Sequence, residues 1–132
     1  MRRISISLLL LLCLCGCGRE AQIYERVEAH FAQSGYTLRQ KQEAPPLQLP
    51  QPHRYYGLQD GDGLAVYLFP DGKEARQAKL KLEQEASLEW DFLIPLYFVK
   101  GPVLIVYFTN PAKAKLPLFE KLERLVQRLE LP

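Results

Sequence analysis

The sequence predicts an α+β domain: an N-terminal helix followed by two ββα units that form a mainly antiparallel sheet with helices packed on one face. The main observation is a pattern that occurs twice, in which two short apolar segments flank a tight turn and precede a segment with helical spacing. A weak internal repeat supports it, since Gly61 and Tyr67 of the first unit recur as Gly101 and Tyr107 of the second.

The predicted first helix is amphipathic. Ile23, Val27 and Phe31 occur at every fourth position and so lie on one face of a helix. Ser34-Gly35 ends it, because glycine readily adopts the left-handed conformation of a helix C-terminus. The weak alternation of residues 36–41 then indicates a short edge strand.

A proline-rich connector, residues 44–53, follows this strand. It contains Pro45, Pro46, Pro50 and Pro52, which favour an extended and semi-rigid backbone. We expect a loop that crosses the domain; the alternative is a ligand motif for a proline-binding partner.

The first ββα unit is centred on "DGDG", residues 60–63. Aspartate and glycine tolerate positive φ, so residues 54–59 and 64–69 are predicted to form a hairpin. Asp71 is the predicted N-cap of the next helix, with Glu74 completing a capping box. "DGDG" also resembles the opening of a calcium loop, but Leu64 stands where an oxygen ligand is needed, which favours the turn.

The second unit has predicted strands over residues 92–99 and 103–109, joined by a turn at Gly101-Pro102. A helix extends to about Leu129 with leucines on one face. Pro117 predicts that its regular part begins there, because proline fits the first helical turn.

The N-terminal residues have the layout of a secretory signal, with basic Arg2 and Arg3 before an apolar segment and small residues. The apolar segment of about eleven residues is shorter than the roughly twenty needed to span a bilayer. Leu14-Cys15-Gly16-Cys17 resembles the lipobox of bacterial lipoprotein precursors, with a branched apolar residue at −3, a small residue at −1 and then cysteine.

The resemblance implies that Cys17 Sγ carries a diacylglyceryl group and that the chain is cut before Cys17. The predicted organisation is then a signal peptide (1–16), a lipidated cysteine with a short tether (17–22) and a single domain (23–132). The protein would be lipid-anchored on the extracytoplasmic side of the cell membrane, or of the outer membrane if the host has one. Its expected partners are the membrane, through the lipid on Cys17, and an envelope protein.

Charge and residue usage narrow the possible functions. The chain has 17 basic and 15 acidic residues; without Arg2 and Arg3 the balance is 15 minus 15, or zero, so nucleic acid is not an expected partner. Cys13 and Cys15 would leave with the signal peptide, and the two histidines are too few for a metal site. No metal and no cofactor are therefore expected.

The candidate binding surface is aromatic. The predicted strands "LAVYLF" and "VLIVYF", residues 64–69 and 103–108, are apolar at nearly every position, which makes both faces of the sheet hydrophobic. The face turned away from the helices could present an aromatic surface to a partner; its candidate residues are Tyr55, Tyr67, Trp90, Tyr97 and Tyr107. The alternative is that the first helix and the connector cover this face.

The sequence indicates a non-enzymatic interaction or structural domain without a more specific role. The first alternative is a binding module that takes a peptide, glycan or lipid on the aromatic face. The second is a small envelope hydrolase that uses Glu89 and Asp91, which flank Trp90. In a strand, such acids share one solvated face while tryptophan packs inward.

Overall fold

The computed structural model describes the backbone of residues 2–85 and 92–132, and within these ranges the side chains from residue 18 onward. The elements in chain order are α1 (Arg2–Gln33), β1 (Arg39–Lys41), β2 (His53–Gly57), β3 (Gly63–Leu68), α2 (Gly72–Glu85), β4 (Ile94–Lys100), β5 (Val103–Thr109) and α3 (Leu116–Gln127).

The strands form one antiparallel sheet in the order β1-β2-β3-β5-β4. The two predicted hairpins are β2-β3 and β4-β5, and they join where β3 pairs with β5, so that Ala65 lies opposite Val106. Every residue of β3 and of β5 is buried. The two central strands are therefore covered on both faces.

Alternate residues of the strands belong to two separate apolar clusters, which we call the first and second core layers. The first contains Tyr24, Val27, Phe31, Tyr56, Leu58, Leu64, Val66, Leu68, Phe98, Val103, Ile105, Tyr107, Leu122, Leu125, Val126 and Leu129. The second contains Ala65, Tyr67, Tyr97, Leu104, Val106 and Phe108, with Leu47, Leu49, Tyr55, Phe69, Leu82, Leu93 and Val99 packed against it.

The α+β class and the antiparallel sheet are confirmed, and the helices pack against the sheet as expected. The helices do not all pack on one face of the sheet, whereas the sequence predicted that they would. α1 and α3 supply the first core layer, whereas Leu82 of α2 packs against the second. The physical reason is the composition of β3 and β5, whose odd and even positions are both apolar and so need cover on both sides.

α1 is anchored in the domain by the predicted face. Tyr24, Val27 and Phe31 are buried, and α1 ends at Gln33 with Gly35 at a φ of 91°. The Tyr36 N–H donates a hydrogen bond of 2.8 Å to the Phe31 carbonyl, as in a glycine-terminated helix. The backbone of the predicted short tether, residues 17–22, is helical and lies within α1.

The two other helix starts agree with the sequence. The Glu74 N–H donates to Asp71 Oδ1 at 2.8 Å, which confirms Asp71 as the N-cap of α2. α3 begins at Leu116 with Pro117 in its first turn, where a missing N–H costs nothing.

We expect Phe31→Ala to lower the free energy of unfolding by about 3–5 kcal/mol, because it leaves a cavity between α1 and the sheet. Phe31 is fully buried, whereas Gln33, two residues later in α1, is exposed. Gln33→Ala is the matched control and should change the free energy by no more than about 0.5 kcal/mol. Urea unfolding followed by circular dichroism measures both, and equal effects would contradict the docking of α1.

Candidate functional site

The candidate tyrosines do not share one surface. Tyr55, Tyr67 and Tyr97 lie at the second core layer, while Tyr107 belongs to the first, on the opposite face of the sheet. Tyr67 is 0% exposed, Tyr97 6% and Tyr107 2%, and only Tyr55 is partly accessible. The fifth residue, Trp90, lies outside the described residues. Tyr67, Tyr97 and Tyr107 thus form core rather than an open binding face.

The proline-rich connector covers the second core layer, together with α2. Leu47 and Leu49 of the connector pack against this layer, as does Leu82 of α2. The Tyr67 hydroxyl donates a hydrogen bond to the Leu47 carbonyl, which ties the connector to β3. The connector therefore crosses the domain as expected, although α1 lies on the other face.

The hydrolase alternative depends on Glu89 and Asp91, which lie outside the described residues together with Trp90. It stays a prediction.

A polar cluster at the β2-β3 turn was not anticipated from the sequence. Asp62 is only 5% exposed, and its carboxylate accepts hydrogen bonds from the Tyr107 hydroxyl at 2.6 Å and from Thr109 Oγ1 at 2.9 Å. Tyr107 and Thr109 are two positions apart in β5, so they point to the same face. The carboxylate thereby joins the first hairpin to the end of β5.

Three further contacts hold the same turn in place. Lys113 Nζ lies 3.5 Å from Asp62 Oδ1 and 3.3 Å from Asp60 Oδ2, and the Leu58 N–H donates to the Asp62 carbonyl at 2.9 Å. Gly61 adopts a φ of 84°, in agreement with the predicted need for glycine in this turn. The Asp62 carboxylate is thus held by side chains of β5 and of the segment that follows β5. This arrangement indicates a structural role for Asp62, and we call Asp62, Tyr107, Thr109 and Lys113 together the Asp62 cluster.

Asp62 could have been noticed from "DGDG" only as a turn residue. Its partners follow it by 45 and 47 positions, and the pairing of β3 with β5 brings them together. The end of β5 carries a weak local signal, since the hydroxyl residue Thr109 ends an otherwise apolar strand.

A second polar link connects α1 to β2. The Tyr56 hydroxyl donates to Glu28 Oε1 at 2.7 Å, and Arg54 Nη1 lies 3.5 Å from the same oxygen. The Arg54 guanidinium also lies over the Tyr24 ring, 4.5 Å from its centroid. These contacts fix the position of α1 on the sheet in addition to its apolar face.

The histidines are separated and engaged with backbone. His30 Nε2 donates to the Leu125 carbonyl at 2.6 Å, so this histidine links α1 to α3. His53 Nδ1 lies 3.0 Å from the Gln51 carbonyl. Among the described residues, no three His, Cys, Asp or Glu side chains are grouped so that they could hold a metal ion.

A cavity of about 620 Å³ opens at the end of the sheet opposite the Asp62 cluster. It lies between Arg19, Glu20 and Ile23 of α1 and the turns that follow β3 and precede β5. Apolar residues dominate its lining, among them Ile23, Leu68, Phe69, Pro70 and Pro102.

No protein-family model, curated protein or solved structure matches this chain. Within the described part of the chain, no helix has the combined length and apolarity needed to cross a membrane.

We expect Asp62→Ala to lower the free energy of unfolding by about 2–4 kcal/mol, because two buried hydroxyls lose their acceptor. Asp60 provides a matched control in the same turn, since its side chain is 60% exposed and pairs with Lys113 at the surface. Asp60→Ala should cost less than about 1 kcal/mol. Chemical denaturation of both variants measures the difference, and a similar decrease in the free energy of unfolding for both would contradict the structural role of Asp62.

Alkaline pH should unfold the domain. Burial raises the pKa of Tyr24 and Tyr97 to about 12. The pKa of Tyr107 is raised above that of Tyr24 and Tyr97, mainly by burial and in addition by its hydrogen bond to Asp62. Tyrosine in an unfolded chain ionises near a pKa of about 10. The folded state therefore keeps protons that the unfolded state releases, and the free energy of unfolding falls as the pH rises above about 10.

A pH titration that records phenolate absorbance and circular dichroism together checks this expectation. Part of the phenolate signal should appear only well above about pH 10 and coincide with loss of secondary structure. Below about pH 9 the ionisation of these tyrosines should contribute no pH dependence to the free energy of unfolding. Ionisation of all seven tyrosines near pH 10 with an unchanged dichroism spectrum would contradict their burial.

Proposed function

We propose that this chain is a lipid-anchored protein of the bacterial cell envelope, held on the extracytoplasmic side of a membrane by acylated Cys17. Its mature domain acts without catalysis, as an interaction or structural domain. The observation that carries the proposal is the sequence Leu14-Cys15-Gly16-Cys17 at the end of a basic and apolar signal-like segment.

The position of the folded domain supports this proposal. Tyr24 is already buried at 5% exposure, seven residues after Cys17, and the backbone between them is helical. At about 1.5 Å of rise per residue, the two positions are about 10 Å apart along the helix axis. A domain tied so closely to an acylated residue would remain next to the bilayer.

The energetics of the anchor agree with stable attachment. Each buried methylene contributes about 0.8 kcal/mol, and one acyl chain gives only reversible binding, whereas two or more give durable anchoring. A diacylglyceryl group on Cys17 supplies two chains.

The arrangement of polar groups supports a role by contact rather than by catalysis. The most buried carboxylate described, Asp62, is held between Tyr107 and Thr109, and it links two strands. The alternative of a binding module on the aromatic face has less support, because Tyr67 and Tyr97 are buried beneath the connector and α2.

The test compares two neighbouring cysteines. The wild-type protein, purified from membranes of its host, should have a mass equal to residues 17–132 plus the diacylglyceryl group, with or without a further amide-linked acyl chain. Cys17→Ala should abolish both cleavage and acylation, because the thiol is the acceptor. Cys15→Ala is the matched control: it changes a residue of the same type two positions earlier, and it should be processed normally.

Intact mass spectrometry and membrane fractionation read out this experiment. An unmodified Cys17 in wild-type protein, or acylation that persists in Cys17→Ala, would overturn the proposed anchor.

A further inference from the structure

The cavity at the end of the sheet opposite the Asp62 cluster is formed by chain segments that meet there. β2 begins, β3 ends and β5 begins at this edge, as the pairings of His53 with Tyr67 and of Leu68 with Val103 show. The segments beyond these strands carry Pro50, Pro52, Pro70 and Pro102, which line the cavity together with Phe69. We call these five residues the proline surface.

The proline surface is held by backbone hydrogen bonds between the segments. The Leu68 N–H donates to the Pro52 carbonyl at 2.9 Å, and the Phe69 N–H donates to the Pro102 carbonyl at 2.8 Å. Pro50, Pro52 and Pro70 are exposed. Contact with an apolar medium needs no rearrangement of these segments, because they are already tied to one another.

The chemistry of proline suits an apolar neighbour. A proline has no backbone N–H, so it presents ring methylenes without a donor that would lose its hydrogen bonds to water. An unpaired N–H moved out of water costs a few kcal/mol, which this surface avoids at four of its five positions.

We propose that the proline surface is the face on which the domain rests against the phospholipid bilayer. This rests on the proposed function, since acylated Cys17 brings that face to the membrane. Arg19 lines the same cavity, and it follows Cys17 by two residues, or about 3 Å of rise along α1. The acyl anchor and the proline surface therefore lie at the same end of the molecule.

Charge indicates which property of the bilayer is recognised. Among the described residues that line this cavity, Arg19 is the one basic residue, and it is offset by Glu20 and Glu74. Attraction to anionic lipid would require a basic excess. The contact is therefore with the apolar interface, and neutral phosphatidylcholine is sufficient.

The mature chain offers a direct test, because acylated Cys17 would be its only cysteine and an introduced thiol can be labelled alone. Pro70→Cys places a fluorophore on the proline surface. Gln59→Cys is the matched control, since it is also an exposed turn residue but lies at the other end of β3. The six residues of β3 separate the two sites by about 20 Å.

Each labelled, acylated protein is reconstituted into phosphatidylcholine vesicles that contain a lipid with a spin-labelled headgroup as quencher. We expect the probe at position 70 to lose most of its emission and the probe at position 59 to lose little. Replacing part of the phosphatidylcholine by phosphatidylserine should leave this difference unchanged.

The outcomes separate the orientation from the anchor. Acylated protein in which both probes are quenched equally, or in which position 59 is quenched more, overturns the orientation and leaves the anchor intact. Quenching that appears only with phosphatidylserine overturns the apolar contact. An unmodified Cys17, measured on the same samples by mass spectrometry, overturns the anchor and the orientation together.

Discussion

The structure depends on one constraint, which is that β3 and β5 are apolar at both alternating sets of positions. A strand of this kind cannot have a face in water, so the sheet must be covered twice. α1 and α3 cover one face through side chains such as Val27 and Leu122. The connector and α2 cover the other through Leu47 and Leu82. Each covering element is therefore part of the core.

This constraint explains why α1 is fixed rather than loosely tethered. Its buried side chains fill the first core layer, and Glu28 binds Tyr56 at the same interface. A chain that carried its lipid on a free linker could explore a large volume above the membrane. Here the helix that would carry the lipid also completes the core, so the proposed anchor would determine which end of the domain faces the bilayer.

The two ends of the sheet differ in chemistry. One end is closed by Asp62, a buried carboxylate whose desolvation is offset by hydroxyl donors from Tyr107 and Thr109. The other end is built from prolines and Phe69, with few backbone donors to satisfy. The two ends of the domain therefore differ in polarity, and the apolar end lies beside the proposed anchor. With the proposed anchor at the apolar end, the Asp62 end would point away from the bilayer and be the end open to the proposed envelope partner.

The local elements can be predicted from the amino-acid sequence, because their signals are local. Spacing identified α1, "DGDG" identified the β2-β3 turn, and Asp71 marked the start of α2. The sequence also supplied Cys17 as the candidate lipidation residue, since the resemblance to a lipobox rests on four consecutive residues. These features depend on neighbours within a few positions.

The face that each tyrosine occupies, and the element that covers it, could not be predicted from local sequence signals. Alternation shows that Tyr55 and Tyr56 point to opposite sides, but it does not say which side receives α1. The pairing of β3 with β5 placed Tyr67 and Tyr107 in different layers, and it brought Asp62 to partners more than forty positions away. Such contacts depend on strand order and register. These are set by which apolar side chains of the whole chain can be buried together, and not by neighbouring residues alone.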